Sequence, residues 1–107
     1  MKEQWVRAGL LADFVNNRLI YKEGNYHIAL FQIENTIYAV DNICTHGNAC
    51  LSEGELEGLY IECPLHAGLV DLRNGKAADA PITRDTRVYQ TRTVDGIVEM
   101  NLLVAAL

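Results

Sequence analysis

The sequence predicts an all-β fold of antiparallel strands, and three observations carry that expectation. Its apolar and β-branched runs are short and are broken about every 8 to 12 residues, as in a domain of many small strands. No segment keeps a helical period of apolar residues over several turns. Two pairs of runs are separated by two residues each, Glu34-Asn35 and Asp95-Gly96, and the second pair is a strong hairpin signal.

Taken in order, residues 5–7 form a first strand, 10–17 leave room for a helical turn, and 19–22 form a second strand. Tyr26, Ile28 and Leu30 alternate with His27, Ala29 and Phe31, and the run 36–40 returns across Glu34 and Asn35 as the partner of a hairpin. Residues 59–62 and 69–72 are further strands, and 88–94 with 97–102 make the hairpin around Asp95-Gly96. Strand-forming halves at 1–41 and 73–107 thus flank a loop-rich insertion at about 42–72, all within a single domain.

A chain of 107 residues has room for one core, and half of its residues are hydrophobic, which suits an ordinary soluble globule. No run approaches the roughly 18 apolar residues needed to cross a bilayer. The opening MKEQWVRAGLLADFV lacks an apolar core followed by a small-residue cleavage site, so a cytoplasmic protein is expected. Three cysteines are an odd count for a disulfide framework and point to a metal instead. The net charge of −5 argues against a nucleic-acid partner, which would need a basic face. Residues 1–40 and 81–107 are each neutral, so the excess sits in the middle, with Asp41, Glu53, Glu55, Glu57, Glu62, Asp71 and Asp79 against Arg73 and Lys76. Such an excess is either a solvated loop region or a docking face.

Two short stretches hold the unusual residues: Cys44-Thr45-His46-Gly47 and Cys63-Pro64-Leu65-His66-Ala67-Gly68, with sixteen residues between His46 and Cys63. Two thiolates and two imidazoles can complete either one tetrahedral zinc or the two irons of a cluster in which two histidines replace two cysteines on one iron. Structural zinc pairs usually stand two to four residues apart, so the Cys-x-His of the first loop fits zinc poorly. Gly47 and Gly68 can take backbone angles closed to other residues, which lets a tight loop wrap a cluster; either could also be an ordinary turn glycine. Pro64 fixes φ and removes an amide donor between ligands. His27 has no second ligand at coordination spacing and is expected to be a packed or surface histidine.

The pattern C-x-H, sixteen residues, C-x-x-H resembles the Rieske family, and residues 43–81 look like the cluster region of ferredoxins from bacterial aromatic-ring dioxygenases of the naphthalene, biphenyl and carbazole type. The resemblance implies a Rieske fold, a β-sandwich-like framework carrying a two-loop cluster-binding insertion. It implies one [2Fe–2S] cluster, with Cys44 and Cys63 on the inner iron and His46 and His66 on the outer one. By the same resemblance Pro81 belongs to a third loop covering the cluster; alternatively it opens the next strand. High-potential members carry a further cysteine in each loop, joined as a disulfide, and hydroxyls two and four residues after the second histidine. Here the second-loop cysteine position is Leu65, and the hydroxyl positions are Gly68 and Val70. Cys50 is then expected to be a small buried apolar residue, and the potential to lie near the low end of the Rieske range, about −150 mV.

A cluster whose irons are fully ligated by protein and sulfide can only move electrons. An oxygenase would also need a mononuclear iron held by two histidines and a carboxylate, and His27 is the only histidine left. The chain is therefore expected to be a monomeric carrier with no catalytic residues. The resemblance supplies its transient partners, a flavin-containing, NAD(P)H-oxidising reductase and a terminal oxygenase acting on aromatic hydrocarbons. Alternatives are the small subunit of an assimilatory nitrite reductase, a structural zinc module, and a Cys–His hydrolase, for which nothing beyond residue type speaks.

Overall fold

Two tight turns set the register of the β-hairpins that the sequence predicts. In the computed structural model, which describes residues 3–43, 49–64, 68–77 and 86–103, Asp95 and Gly96 take φ of 52° and 77°. Both angles are positive, as the favoured two-residue hairpin turn requires. Glu34 takes φ of 57° at the other turn. The described strands are β1 (Trp5–Leu10), β2 (Arg18–Glu23), β3 (Tyr26–Ile33), β4 (Thr36–Asp41), β5 (Leu56–Glu57), β6 (Tyr60–Glu62), β7 (Leu69–Asp71), β8 (Val88–Tyr89), β9 (Thr91–Val94) and β10 (Ile97–Asn101). They pair antiparallel throughout, in three sheets ordered β1-β10-β9, β2-β3-β4-β8 and β5-β6-β7. The all-β expectation holds.

One local reading needs correction, one is borne out, and one strand was missed. The run 88–94 is not one strand: β8 pairs with β4 while β9 pairs with β10. The break falls at Gln90, whose backbone and side-chain oxygens accept from the backbone and side chain of Asn101, and Thr91 Oγ1 donates to the Ile37 carbonyl at 2.8 Å. The chain thereby passes from one sheet to the next. The helical turn expected at 10–17 is a single 3₁₀ turn, Leu11–Asp13, closed by Leu10 N–H donating to Asp13 Oδ2. Strand β5 was not foreseen, since two residues carry no periodicity.

The central sheet separates two cores. Ile28 and Leu30 of β3 pack with Ile37, Ala39, Tyr89, Val98, Met100 and Leu102, against the β1-β10-β9 sheet. Ala29 and Phe31 point the other way, into a core with Val40, Leu51, Ile61, Cys63, Val70 and Leu72, against the β5-β6-β7 sheet. Strand β3 is buried on both faces, which is why it reads as the continuous run Ile-Ala-Leu-Phe rather than a polar alternation. Burial of each large side chain contributes about 1.5–3 kcal/mol. The second core matters for the site, because Leu51, just beyond the first Cys/His stretch, and Cys63, which opens the second, lie in it.

Candidate metal centre

The first stretch leaves the end of β4 through Asn42, a polar residue with 1% exposure. A buried amide must satisfy its hydrogen-bonding groups, and Asn42 does so across the loop. Its backbone N–H donates to the His27 carbonyl at 2.8 Å, and its carbonyl accepts from Leu51 N–H at 2.6 Å. Its Oδ1 accepts from Ser52 N–H at 2.8 Å, and its Nδ2 lies 3.1 Å from His27 Nε2. Ile43 and Cys50 form a further bridge. Both ends of the segment that includes Cys44 and His46 are thus held together at Asn42.

The second stretch leaves β6 at Cys63, which is fully buried. Cys63 N–H donates to the Gly68 carbonyl at 2.8 Å, continuing the β6–β7 ladder. Main chain closes this loop. The two loop bases meet at Gly54, where an added Cβ would stand 1.7 Å from the Glu62 carbonyl oxygen. Glu62 N–H also donates to the Glu55 carbonyl. Arg18 of β2 braces the seam, its Nη1 donating to the carbonyls of Ser52 and Gly54 at 2.6 Å each while its guanidinium lies 5.6 Å from the Phe31 ring centre.

Of the four expected ligands, Cys63 is described and sits buried at a loop mouth; Cys44, His46 and His66 lie outside the described residues, as do Gly47, Leu65 and Pro81. Gly68 is buried, and Val70 packs in the core beside Ile61. Cys50 is half-buried rather than buried, because Ile43 opposite it is itself 44% exposed. His27 is half-buried, yet it touches the base of the first loop through Asn42. Sequence reasoning missed Asn42, Arg18 and this role of His27.

The acidic middle is less uniform than its count suggests. Asp71 accepts from Arg73 through both oxygens, at 3.0 and 2.8 Å, and this pairing holds its carboxyl below the usual range. Asp41 accepts from the Tyr89 hydroxyl at 2.5 Å. Burial, with the Asp41 carboxylate beside it, pushes the Tyr89 phenol well above its usual value. Both acids are spent on holding the fold. Glu53, Glu55 and Glu57 are exposed and Glu62 is half-buried, all on the segment linking the two loops.

Two loops that each carry a cysteine and a histidine, with bases sharing one core and a buried thiol at one mouth, suit a two-iron cluster. Residues 4–90 match the family described as Rieske [2Fe-2S] domain. The chain belongs to that family, and its cofactor is one Rieske-type [2Fe–2S] cluster. Within it the chain is an electron carrier of the ferredoxin type, not an enzyme. The anthranilate 1,2-dioxygenase ferredoxin subunit of Burkholderia cepacia is 42% identical over 100 residues, covering 92% of this chain and 93% of its own length. The ferredoxin component of the naphthalene 1,2-dioxygenase system of Pseudomonas putida is 43% identical over 94 residues, covering 86% of this chain and 89% of its own. Among solved structures, a chain in a complex of reduced oxygenase and oxidised ferredoxin of carbazole 1,9a-dioxygenase superposes with a TM-score of 0.85 at 29% identity, over 96% of this chain and 97% of that one.

Proposed function

We propose that this chain is the one-electron shuttle of a multicomponent aromatic-ring dioxygenase, accepting electrons from a flavin-containing, NAD(P)H-oxidising reductase and delivering them to a terminal oxygenase, as a cytoplasmic monomer. Among the described residues no helix is long and apolar enough to cross a membrane. Cys44 and Cys63 hold the inner iron, His46 and His66 the outer one, and the stretch 42–72 works as the cluster-binding subdomain. When bound, the cluster supplies a one-electron couple. The observation that carries this reading is the buried Cys63 at a loop mouth whose base shares a core with the base of the Cys44–His46 loop. His46 and His66 would give partners their shortest approach to the cluster.

The sulfurs lack hydroxyl donors at Gly68 and Val70, so a potential near the low end of the Rieske range, about −150 mV, is expected. A value above about +100 mV in a redox titration contradicts this. Glu53, Glu55 and Glu57 provide the negative docking surface beside the loops. Rising salt, and Glu53→Lys or Glu55→Lys, should each slow electron transfer to the oxygenase by about tenfold. The test of the function is substrate-dependent oxygen uptake reconstituted from reductase and oxygenase with this chain left out and added back. Uptake that does not depend on the chain contradicts the assignment, and a chain-dependent nitrite reduction would move it to an assimilatory nitrite reductase.

A further inference from the structure

His27 is the histidine that the cluster loops do not use. It sits on β3, opposite Lys22 of β2, and on its other side lies Asn42, at the start of the first loop. The Asn42 amide has a defined orientation, because Ser52 N–H at 2.8 Å can only donate to an oxygen, which makes that atom Oδ1. The other end of the amide, the Nδ2 donor, therefore faces His27 Nε2 at 3.1 Å. Two donors cannot share that contact. Nε2 must present its lone pair, so the imidazole is neutral and carries its proton on Nδ1. Rotating the amide to suit another tautomer would set Oδ1 against the imidazole and leave Ser52 N–H facing a donor. With Asn42 only 1% exposed, water cannot readily replace either bond.

We propose that His27 is a positioning residue for the cluster: as a neutral acceptor it fixes the Asn42 amide, and that amide ties together the two ends of the loop holding Cys44 and His46. The chain of contacts runs from β3 through His27 to Asn42, and from Asn42 to Leu51 and Ser52 on the far side of the loop. This inference rests on the ligand assignment proposed above.

The test uses the cluster-loaded protein with His27→Leu, which removes the acceptor, and His27→Gln, whose Oε1 can accept where Nε2 did. Two quantities are read: hydrogen exchange at the Leu51 and Ser52 amides, and the rate at which an iron chelator bleaches the visible absorbance. His27→Leu should speed both by about tenfold, the loss expected when a buried donor goes unpaired. His27→Gln should stay within about threefold of the native rates, and in an Asn42→Ala background His27→Leu should add less than about twofold. Unchanged exchange in His27→Leu, equal damage from His27→Gln, or faster exchange without faster bleaching overturns the proposal. Failure of the ligand assignment looks different: Cys44→Ala or His46→Ala would then leave the cluster and its bleaching rate intact, whatever His27 does.

Discussion

The two loops of the metal centre are closed by different means. The first, between Ile43 and Cys50, adds side chains to its main-chain bonds at Asn42–Leu51 and Ile43–Cys50: the Asn42 amide bonds across it to Ser52, His27 of β3 holds Asn42, and Arg18 of β2 braces its far end. The second, between Cys63 and Gly68, is closed by a main-chain bond that continues the β6–β7 ladder. A main-chain closure tolerates most side-chain changes and fails where the backbone itself is displaced. A side-chain closure fails one substitution at a time. The proposed ligand pair Cys44 and His46, on the loop that adds a side-chain closure, is therefore expected to be the more sensitive to substitution, and the proposed pair Cys63 and His66 the less.

Displacing the backbone at the seam should cost most. In Gly54→Ala the new Cβ would stand 1.7 Å from a main-chain oxygen, that of Glu62, which cannot rotate away. We expect a loss of at least about 3 kcal/mol in denaturant unfolding, with both loops disturbed. Asn42→Ala strikes the first loop only. It strands Ser52 N–H and the His27 acceptor, and a loss of about 2 kcal/mol is expected, with increased hydrogen exchange at Leu51 and Ser52 but not at Cys63. Increased exchange at Cys63 to the same degree would show that the loops are not held independently.

Smaller effects should come from the β4–β8 side of the first loop. Tyr89→Phe removes the hydroxyl that bonds Asp41, three residues before Cys44, for about 1 kcal/mol. The pH dependence has a definite sign. Because the folded-state Tyr89 phenol is pushed above the ordinary value of about 10, its contribution is complete below that pH and is lost as pH rises beyond it. Melting temperature measured from pH 8 to 11 should therefore fall more steeply in the native chain than in Tyr89→Phe. The smallest effect is expected at Thr86, whose buried Oγ1 finds no hydrogen-bond partner among the described residues. Thr86→Val replaces that hydroxyl with a methyl and should be neutral or stabilising by up to about 1 kcal/mol. A clear destabilisation would mean that the hydroxyl has a partner outside the described residues.

Much of this arrangement was legible in the sequence, for reasons that also explain what was not. The Asp95-Gly96 and Glu34-Asn35 hairpins are local, set by turn residues and the alternation beside them. The Cys/His stretches are legible because coordination restricts residue type and spacing together. The division of 88–94 at Gln90 was not, because it depends on Asn101 reaching that residue from another strand. The spending of Asp41 on Tyr89, 48 positions away, is equally a matter of tertiary register. Asp71 is different: its arginine is only two residues away, and the pair was visible but was counted as surface charge. The pairing of His27 with Asn42 spans 15 positions and follows only once β3 and β4 are set in register. Histidine counting left His27 without a task; geometry gives it one.

The central claim is that His46 and His66 are the nitrogen ligands and that His27 acts at one remove, through Asn42. Pulsed EPR of the reduced protein, labelled with ¹⁵N-histidine, tests it most directly. The account expects two strongly coupled histidine nitrogens in the native chain and in His27→Gln, with one lost or the cluster absent in His46→Ala and in His66→Ala. A strong coupling that disappears with His27, or one that survives the loss of both His46 and His66, would contradict it.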